Sequence, residues 1–178
     1  MTATPRLPAG LERHAAATET EATEATKAEL DRMLQLALQE DARVIAVGRG
    51  RSPAATRAAR GFARRWEAAG RTVLCVVTWP EEAASWLRQA TRFADADPDL
   101  WVMAGPAGGW AQMTRRLLWS TAWQPERTIA FSDIGTGKAI GLVGAVNLPG
   151  LSGATTDGGT WVVRDGQLQT PAQNPEAR

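Results

Sequence analysis

The stretch 43–69 constrains the fold of this chain more than any other, because it is typical of a strand, a glycine loop and a helix in succession. Val44–Val47 is a short apolar strand and Gly48–Arg51 is the loop. Ser52 is a favourable N-cap, and Pro53 stands where a first helical residue tolerates proline. Apolar residues then recur at helical spacing opposite an arginine face. The apolar positions are Ala55, Ala59, Phe62, Trp66 and Ala69, and the arginines are Arg57, Arg60 and Arg64. The stretch predicts an α/β unit whose helix begins at a potential ligand loop.

The same alternation continues along the chain. Strands are predicted at 44–47, 72–78, 100–104 and 128–131, and helices at 27–40, 53–69, 80–93 and 109–122. In the helix at 80–93, the residues predicted to face the core are Ala83, Trp86, Leu87 and Ala90. Alternating units of this length favour parallel strands joined by right-handed crossovers. The predicted fold class is α/β, a three-layer sandwich with a mainly parallel, flavodoxin-like or Rossmann-like sheet of about five strands.

The alternation changes after the fourth strand. The apolar segment 139–146 is a candidate for the fifth strand, and 147–159 is predicted to be a connector. A C-terminal hairpin is predicted at 160–169, with Asp165-Gly166 as its turn. The predicted organisation is a disordered or frayed tail over 1–26, a single α/β domain over 27–170 and a disordered tail over 171–178.

Composition narrows the classes of function. The chain has 178 residues and a net charge of +1, which favours one domain and argues against nucleic acid or a membrane surface as partner. No apolar run approaches the roughly 20 residues of a membrane span, and the initial Met argues against a removed signal peptide. We therefore expect a cytoplasmic protein. The one cysteine, Cys75, lies in an apolar strand and is interpreted as a core thiol. With His14 the only histidine, the pattern indicates no catalytic triad and no Cys/His metal cluster, and it names no cofactor.

Candidate ligand-binding residues lie in the loops that follow the strands, because ligands of parallel sheets bind beyond the carboxyl ends of the strands. The candidates are Arg49, Gly50, Arg51, Ser52, Trp79, Gly105, Ala107, Gly108, Ser132 and Asp133. The loop at 48–53 partly matches the dinucleotide pattern G-x-G-x-x-G, but Pro53 replaces its last glycine and Trp79 stands where an acidic residue would close the second strand. A helix N-terminus and two arginines still indicate a phosphate or carboxylate site. The alternative is a tight turn with two solvated arginines.

Two other loops have similarly open interpretations. Ser132–Ala139 resembles a phosphate loop, but it has serine where the first glycine belongs and Ala139 where a hydroxyl should bind magnesium, which argues against ATP hydrolysis. Ser132 and Asp133 could instead bind a small polar ligand or cap the loop. Gly105–Gly109 either lets a ligand approach the backbone or forms a tight turn. Trp79 and Trp110 beside these loops are either aromatic walls of a pocket or core residues.

The order of segments over 41–166 resembles the type 1 periplasmic binding proteins, in particular their branched-chain amino acid group. The resemblance rests on the strand–loop–helix–strand stretch at 43–80, on DPDLWVMAGPAGGWAQMTRRL at 97–117, on ERTIAFSDIG at 126–135 and on the glycine-rich segment and hairpin at 150–168. In that family two such lobes close over an amino acid or a similar small molecule, and this chain has the length of one lobe. The resemblance implies ligand contacts at Ser52, Trp79, Gly105, Ala107 and Ser132.

Three functions follow as hypotheses. The first is a non-catalytic binding or sensor module with a small polar or anionic ligand or a partner protein at the carboxyl edge of the sheet. The second is an enzyme that binds a phosphate-bearing cofactor or substrate at 48–53. The third is an oligomeric interaction or scaffold protein whose apolar edge includes Trp79 and Trp110. A single open lobe also predicts a homo-oligomer or a partner protein that covers the edge.

Overall fold

A computed structural model describes residues 24–171. The helices are α1 (Lys27–Gln39), α2 (Pro53–Ala68), α3 (Leu87–Ala94), α4 (Ala107–Ser120) and α5 (Gly137–Val143). The strands are β1 (Val44–Arg49), β2 (Thr72–Thr78), β3 (Leu100–Ala104), β4 (Thr128–Ala130), β5 (Ser152–Ala154), β6 (Thr160–Arg164) and β7 (Gln167–Gln169). Apart from 24–26 and 171, the predicted tails lie outside the described residues, so their disorder stays a prediction.

The strands form one seven-stranded sheet in the order β2-β1-β3-β4-β5-β6-β7. The pairs from β2 to β5 are parallel, and β6 and β7 extend the sheet as an antiparallel hairpin. The order 2-1-3-4-5 of the parallel part is flavodoxin-like, and its direction of winding reverses between β1 and β3. The α/β fold class, the mainly parallel sheet and the C-terminal hairpin are confirmed, although the sheet is larger than the five strands expected.

The predicted strand–loop–helix unit is present. Ser52 caps α2, because its Oγ accepts a hydrogen bond from the backbone N–H of Ala55 at 3.1 Å. Gly70 follows the end of the helix with a φ of 75°, a left-handed conformation that glycine adopts without steric cost. Phe62 and Trp66 on α2 are fully buried against the sheet. The local pattern of the sequence is therefore sufficient to place this unit.

The fifth strand was predicted in the wrong segment. Residues 139–146 belong mainly to α5 and to a 3₁₀ turn at Ala145–Asn147, whereas β5 lies at Ser152–Ala154 inside the predicted connector. Thr136 begins α5 by accepting a hydrogen bond from the Ala139 N–H at 3.1 Å. The central residue of β5 is a glycine because a Cβ at Gly153 would collide with the Ala130 carbonyl oxygen and lie 2.7 Å from Trp161. A strand of three small residues carries no apolar periodicity that could predict it.

The helix predicted at 80–93 begins later than expected. Residues 80–86 are irregular, and α3 starts at Leu87. Ala83 is exposed and Leu87 is 44% exposed, so neither faces the core as predicted. Trp86 Nε1 donates a hydrogen bond to the Pro80 carbonyl oxygen at 2.9 Å, which closes the segment into a loop. This loop lies at the carboxyl edge of the sheet.

The core lies on both faces of the sheet. One cluster packs α1 and α2 on the sheet, and the other packs α3, α4 and α5 on its opposite face. Trp79 and Trp110 belong to the second cluster and are fully buried. Their interpretation as part of an exposed apolar edge is therefore wrong, because neither ring reaches the surface. Within residues 24–171, no helix has the length and apolar character needed to cross a membrane.

Candidate ligand-binding site

The loops after β1 and β3 meet at the carboxyl edge of the sheet, where the winding reverses. The N–H of Gly50 donates to the Ala104 carbonyl oxygen at 2.9 Å. Gly105 has a φ of 155°, and a Cβ on it would lie 3.0 Å from the Gly50 nitrogen. Only residues without side chains fit this approach of the two backbones. The structure therefore brings the predicted site residues Gly50 and Gly105 into direct contact, and both are buried.

Glu81, from the loop between β2 and α3, fills the crevice beside these glycines. Its Oε1 accepts a hydrogen bond from the Arg51 N–H at 3.3 Å. A Cβ on Gly50 would collide with Oε1, and one on Gly109 would collide with Oε2. Oε2 is buried and has no hydrogen-bond partner within residues 24–171. Burial raises the pKa of Glu81, and the amides of Arg51 and Gly109 act in the opposite direction.

The predicted arginine pair has a different geometry from that of an anion clamp. The guanidinium of Arg49 donates to the Gly50 carbonyl oxygen at 3.1 Å and to Thr56 Oγ1 at 2.7 Å. Arg51 is exposed, and its backbone amide is bound to Glu81. Ser52 uses its hydroxyl to cap α2. The donors expected to hold a phosphate at 48–53 are thus bonded within the chain or exposed, and their role toward a ligand stays a prediction.

Two further carboxyl groups lie at the end of β4: Asp133 belongs to the loop after this strand, and Glu29 reaches it from α1. Asp133 Oδ2 accepts a hydrogen bond from the Gly105 N–H at 2.9 Å, while Oδ1 is buried without a partner among the described residues. Glu29 on α1 is 1% exposed, and its Oε1 accepts from the Ser132 N–H at 2.7 Å. Burial and the nearby charge of Glu29 raise the pKa of Asp133 to about 7, against the hydrogen bond from Gly105.

Glu29, Ser132 and Asp133 line a cavity of about 10 Å³ between α1, α2 and the end of β4. The other lining residues are Ala25, Ala54, Ala58 and Phe131. A space of this size holds about one water molecule. The cavity is too small for a metabolite, and its polar lining consists of Glu29, Ser132 and Asp133.

The remaining predicted residues divide between surface and core. Gly108 is exposed and Ala107 is partly exposed in the first turn of α4. Trp79 is fully buried, and a Cβ on Gly48 would lie 2.7 Å from its ring and one on Gly105 would lie 3.5 Å away. In this conformation the Trp79 ring packs against the glycines of both loops from the core side and cannot contact a ligand itself. Gly50, Gly105 and Asp133 are thus brought together, whereas Trp79 is not part of the open edge.

Sequence reasoning missed Glu81 and Glu29. Pro80-Glu81-Glu82 is typical of the first turn of a helix, which favours acidic residues. The sequence therefore indicated an exposed helix terminus and not an inward position for Glu81. Thr26 and Glu29 have the spacing of a capping box. Thr26 Oγ1 does accept from the Glu29 N–H at 3.0 Å, but the Glu29 carboxylate reaches Ser132 on β4's loop. Neither tertiary contact leaves a pattern in the sequence.

Hydrogen bonds between backbone amides and carboxylates connect the loops at this edge of the sheet. Carboxylates from three elements bind backbone amides at the ends of β1, β3 and β4. Two buried oxygens, Glu81 Oε2 and Asp133 Oδ1, lack partners in the part of the chain that the structure describes. No group of three or more His, Cys, Asp or Glu side chains within residues 24–171 is arranged to hold a metal ion. At this edge, three backbone amides are thus bonded to the chain's own carboxylates, and two carboxylate oxygens are buried without a hydrogen bond of ordinary geometry to any described residue.

Comparison with solved structures identifies the fold. A substrate-binding periplasmic protein from Ralstonia solanacearum has 18% identity and a TM-score of 0.60, over 73% of this chain and 36% of that protein. A putative branched-chain amino acid ABC transporter protein from Rhodospirillum rubrum has 18% identity and a TM-score of 0.59, over 71% and 36%. The fold resemblance to periplasmic branched-chain amino acid binding proteins is confirmed.

A third structure was solved with a ligand. The branched-chain amino acid transporter substrate-binding protein from Streptococcus pneumoniae, in complex with isoleucine, has 10% identity and a TM-score of 0.59, over 70% of this chain and 34% of that protein. The chain therefore spans about a third of the length of each of these proteins. No protein-family model matches the sequence, and no curated protein matches it either.

Proposed function

We propose that this chain is a non-catalytic module that binds a small polar molecule at the carboxyl edge of its sheet. The site is formed by residues 50–52, 105–108 and 132–133, and it is centred where the winding reverses between β1 and β3. The observation that carries the proposal is the presence of a carboxylate group in this crevice, bonded to the amide of Arg51 beside two glycines. The crevice thus accommodates a polar group of the kind that small metabolites carry.

The chemistry of the edge supports a ligand with both donors and acceptors. Backbone amides at a helix N-terminus favour a negatively charged group, and the buried free oxygen of Asp133 favours a donor. The Streptococcus pneumoniae protein, which shares the fold, was solved with isoleucine, a molecule that carries both kinds of group. We therefore place amino acids and related small acids first among the candidates.

We also propose that the edge is covered by a second copy or by another protein when the module works. The chain spans about a third of the proteins that share its fold, and a single lobe leaves its ligand edge open to solvent. Closure would remove water from the bound molecule and strengthen its polar contacts. We also propose that the protein is located in the cytoplasm.

The test is a thermal-shift screen with amino acids, nucleotides, sugar phosphates and flavins, with the mass of the protein in solution recorded alongside. A ligand at 100 times its dissociation constant stabilises the folded state by about 2.7 kcal/mol. We expect an amino acid or small acid to raise the unfolding temperature. A shift caused only by nucleotides or flavins would favour the enzyme hypothesis, and no shift from any compound would contradict a small-molecule site.

A matched pair of variants locates the site. Gly108→Leu places a side chain in open space at the mouth of the crevice, and Gly141→Leu does the same on exposed α5 away from it. We expect the ligand-induced shift to be lost in Gly108→Leu and kept in Gly141→Leu. Equal shifts in both variants would place the ligand elsewhere.

A further inference from the structure

The loop between β2 and α3 turns a single acidic side chain inward. Residues 82–85 are exposed, while Trp79 anchors the start of the loop in the core and Trp86 is bonded to Pro80 at its end. Between these anchors, Glu81 leaves the solvent side and enters the crevice beside Gly50 and Gly109. An exposed loop could keep this carboxylate fully hydrated, so its partly buried position needs an explanation.

Two glycines border the space that the Glu81 carboxylate occupies. Gly50 and Gly109 approach the two oxygens so closely that a Cβ at either position would collide with them. The backbone of Glu81 is close as well, since a Cβ at Gly109 would lie 3.0 Å from its Cα. The oxygens face the amide of Arg51 and the first turn of α4, where the helix dipole favours negative charge. Glycine at both positions is therefore what makes room for the group.

Glu81 is an imperfect occupant of this space. Its hydrogen bond to the Arg51 amide is 3.3 Å long, beyond the usual range of about 2.7–3.2 Å. Its second oxygen is buried beside the Gly109 amide, which lowers the pKa of Glu81 but forms no hydrogen bond of ordinary geometry with that oxygen. Burial accordingly raises the pKa of Glu81, which means that the site disfavours its charged form relative to water. A free carboxylate, which is not tethered to Pro80 and Glu82, can adjust its position to both sets of amides.

We propose that the crevice between β1 and β3 is a carboxylate-binding site that Glu81 occupies as an internal ligand, and that a small carboxylate compound displaces it. The inference rests on the proposed function and names the class of its ligand. Displacement requires the Glu81 side chain to rotate toward solvent, where its neighbours at 82–85 are already exposed. The Arg51 amide and the first turn of α4 are then free for the incoming group.

The experiment is rescue of Glu81→Ala by acetate. The variant empties the site, so we expect a lower unfolding temperature than for the native chain. Acetate at about ten times its dissociation constant should raise that temperature by about 3–6 °C over sodium chloride of equal ionic strength. Glu81→Gln keeps the space filled and Glu82→Ala alters the exposed neighbour, so neither variant should respond to acetate beyond the native chain.

The outcomes separate the two proposals. Equal effects of acetate and chloride on Glu81→Ala would overturn the carboxylate site, even if the native chain binds a metabolite in the screen. Rescue by acetate supports the site even if that screen finds no ligand, in which case only the proposed function fails. If Glu81→Ala does not fold in chloride, the yield of folded protein after refolding in acetate and in chloride is compared, and equal yields overturn the inference.

Discussion

Two adjacent glycines at the start of α4 have different roles. A Cβ on Gly108 would meet open space, whereas one on Gly109 would collide with the Glu81 carboxylate. The difference comes from a residue 28 positions earlier in the chain, so it cannot be inferred from the helix alone. At this scale, one side chain decides which glycine the fold requires.

The first prediction compares Gly109→Ala with Gly108→Ala. Gly108→Ala should raise the free energy of unfolding by up to about 1 kcal/mol, because alanine is the better helix former. Gly109→Ala should lower it by about 1–3 kcal/mol, since the added methyl group overpacks the Glu81 site. Urea unfolding measures both. Equal stabilisation by the two substitutions would mean that Glu81 does not occupy the crevice in solution.

The second prediction concerns pH and Asp133. Burial and the charge of Glu29 raise its pKa in the folded protein to about 7, from an ordinary value of 3.8. A raised pKa means that the folded state binds the proton more tightly than the unfolded state. The stabilisation that this proton provides is fully present below the ordinary pKa of 3.8, and it is lost as the pH rises through the folded-state pKa of about 7. The free energy of unfolding should therefore fall by about 1.4 kcal/mol per pH unit within this window.

Asp133→Asn removes this titration. We expect its free energy of unfolding to vary less between about pH 4 and 7 than that of the native chain, as measured by urea unfolding across that range. Asp165→Asn, in the exposed turn of the hairpin, is the control and should keep the native slope. Identical slopes in the Asp133→Asn variant and the native chain would show that the buried carboxyl group keeps an ordinary pKa.

At the scale of elements, α1 is fastened to the carboxyl edge by polar contacts. Besides the bond from the Ser132 amide to Glu29, Arg32 Nε donates to the Gly158 carbonyl oxygen at 2.8 Å. The apolar stripe of α1, in which Met33 and Ala37 are fully buried, packs on the same side of the sheet as α2. The stripe was predictable from helical spacing, while the two polar contacts depend on loops more than 100 residues away in the chain.

The third prediction tests this attachment. Glu29→Ala leaves the partly buried Ser132 amide without its acceptor and removes a buried carboxylate, which together cost about 1–3 kcal/mol of stability. Backbone hydrogen exchange in α1 should be faster in Glu29→Ala than in the native chain, whereas exchange in α4 should change less. Gln35→Ala, at an exposed position on the same helix, should change the free energy of unfolding by no more than about 0.5 kcal/mol. It should leave hydrogen exchange in α1 unchanged. Unchanged exchange in Glu29→Ala would show that apolar packing alone holds α1.

For the whole molecule, the direction of winding decides where a ligand could bind. The sheet order places β1 beside β3, and the helices that follow these strands, α2 and α4, pack on opposite faces of the sheet while the loops before them meet at Gly50 and Gly105. The crevice lies at this meeting point. The chain fills part of this crevice with Glu81 and the next position along the edge with Asp133 and Glu29. The proposed site is therefore a property of the assembled sheet and not of any one loop.

Most of the framework was predictable from local patterns. The apolar runs at β1, β2 and β3, the cap at Ser52, the glycine at 70 and the Asp165-Gly166 turn all depend on neighbours within a few residues. The α/β alternation then restricts the topology, because crossovers between parallel strands are right-handed. β5 was misplaced because its three small residues show no apolar periodicity, and the glycine at its centre is required by contacts with Trp161 and Ala130 that lie elsewhere in the chain.

The sequence by itself determined the alternation of strands and helices and the set of loops that gather at one edge, because these depend on interactions between near neighbours. Only the tertiary structure decided what those loops contain. Glu81 meets Gly109, Asp133 meets Gly105 and Glu29 meets Ser132 through pairings distant in the chain. Each buried carboxylate must find donors wherever the fold brings them, and no local pattern records that choice.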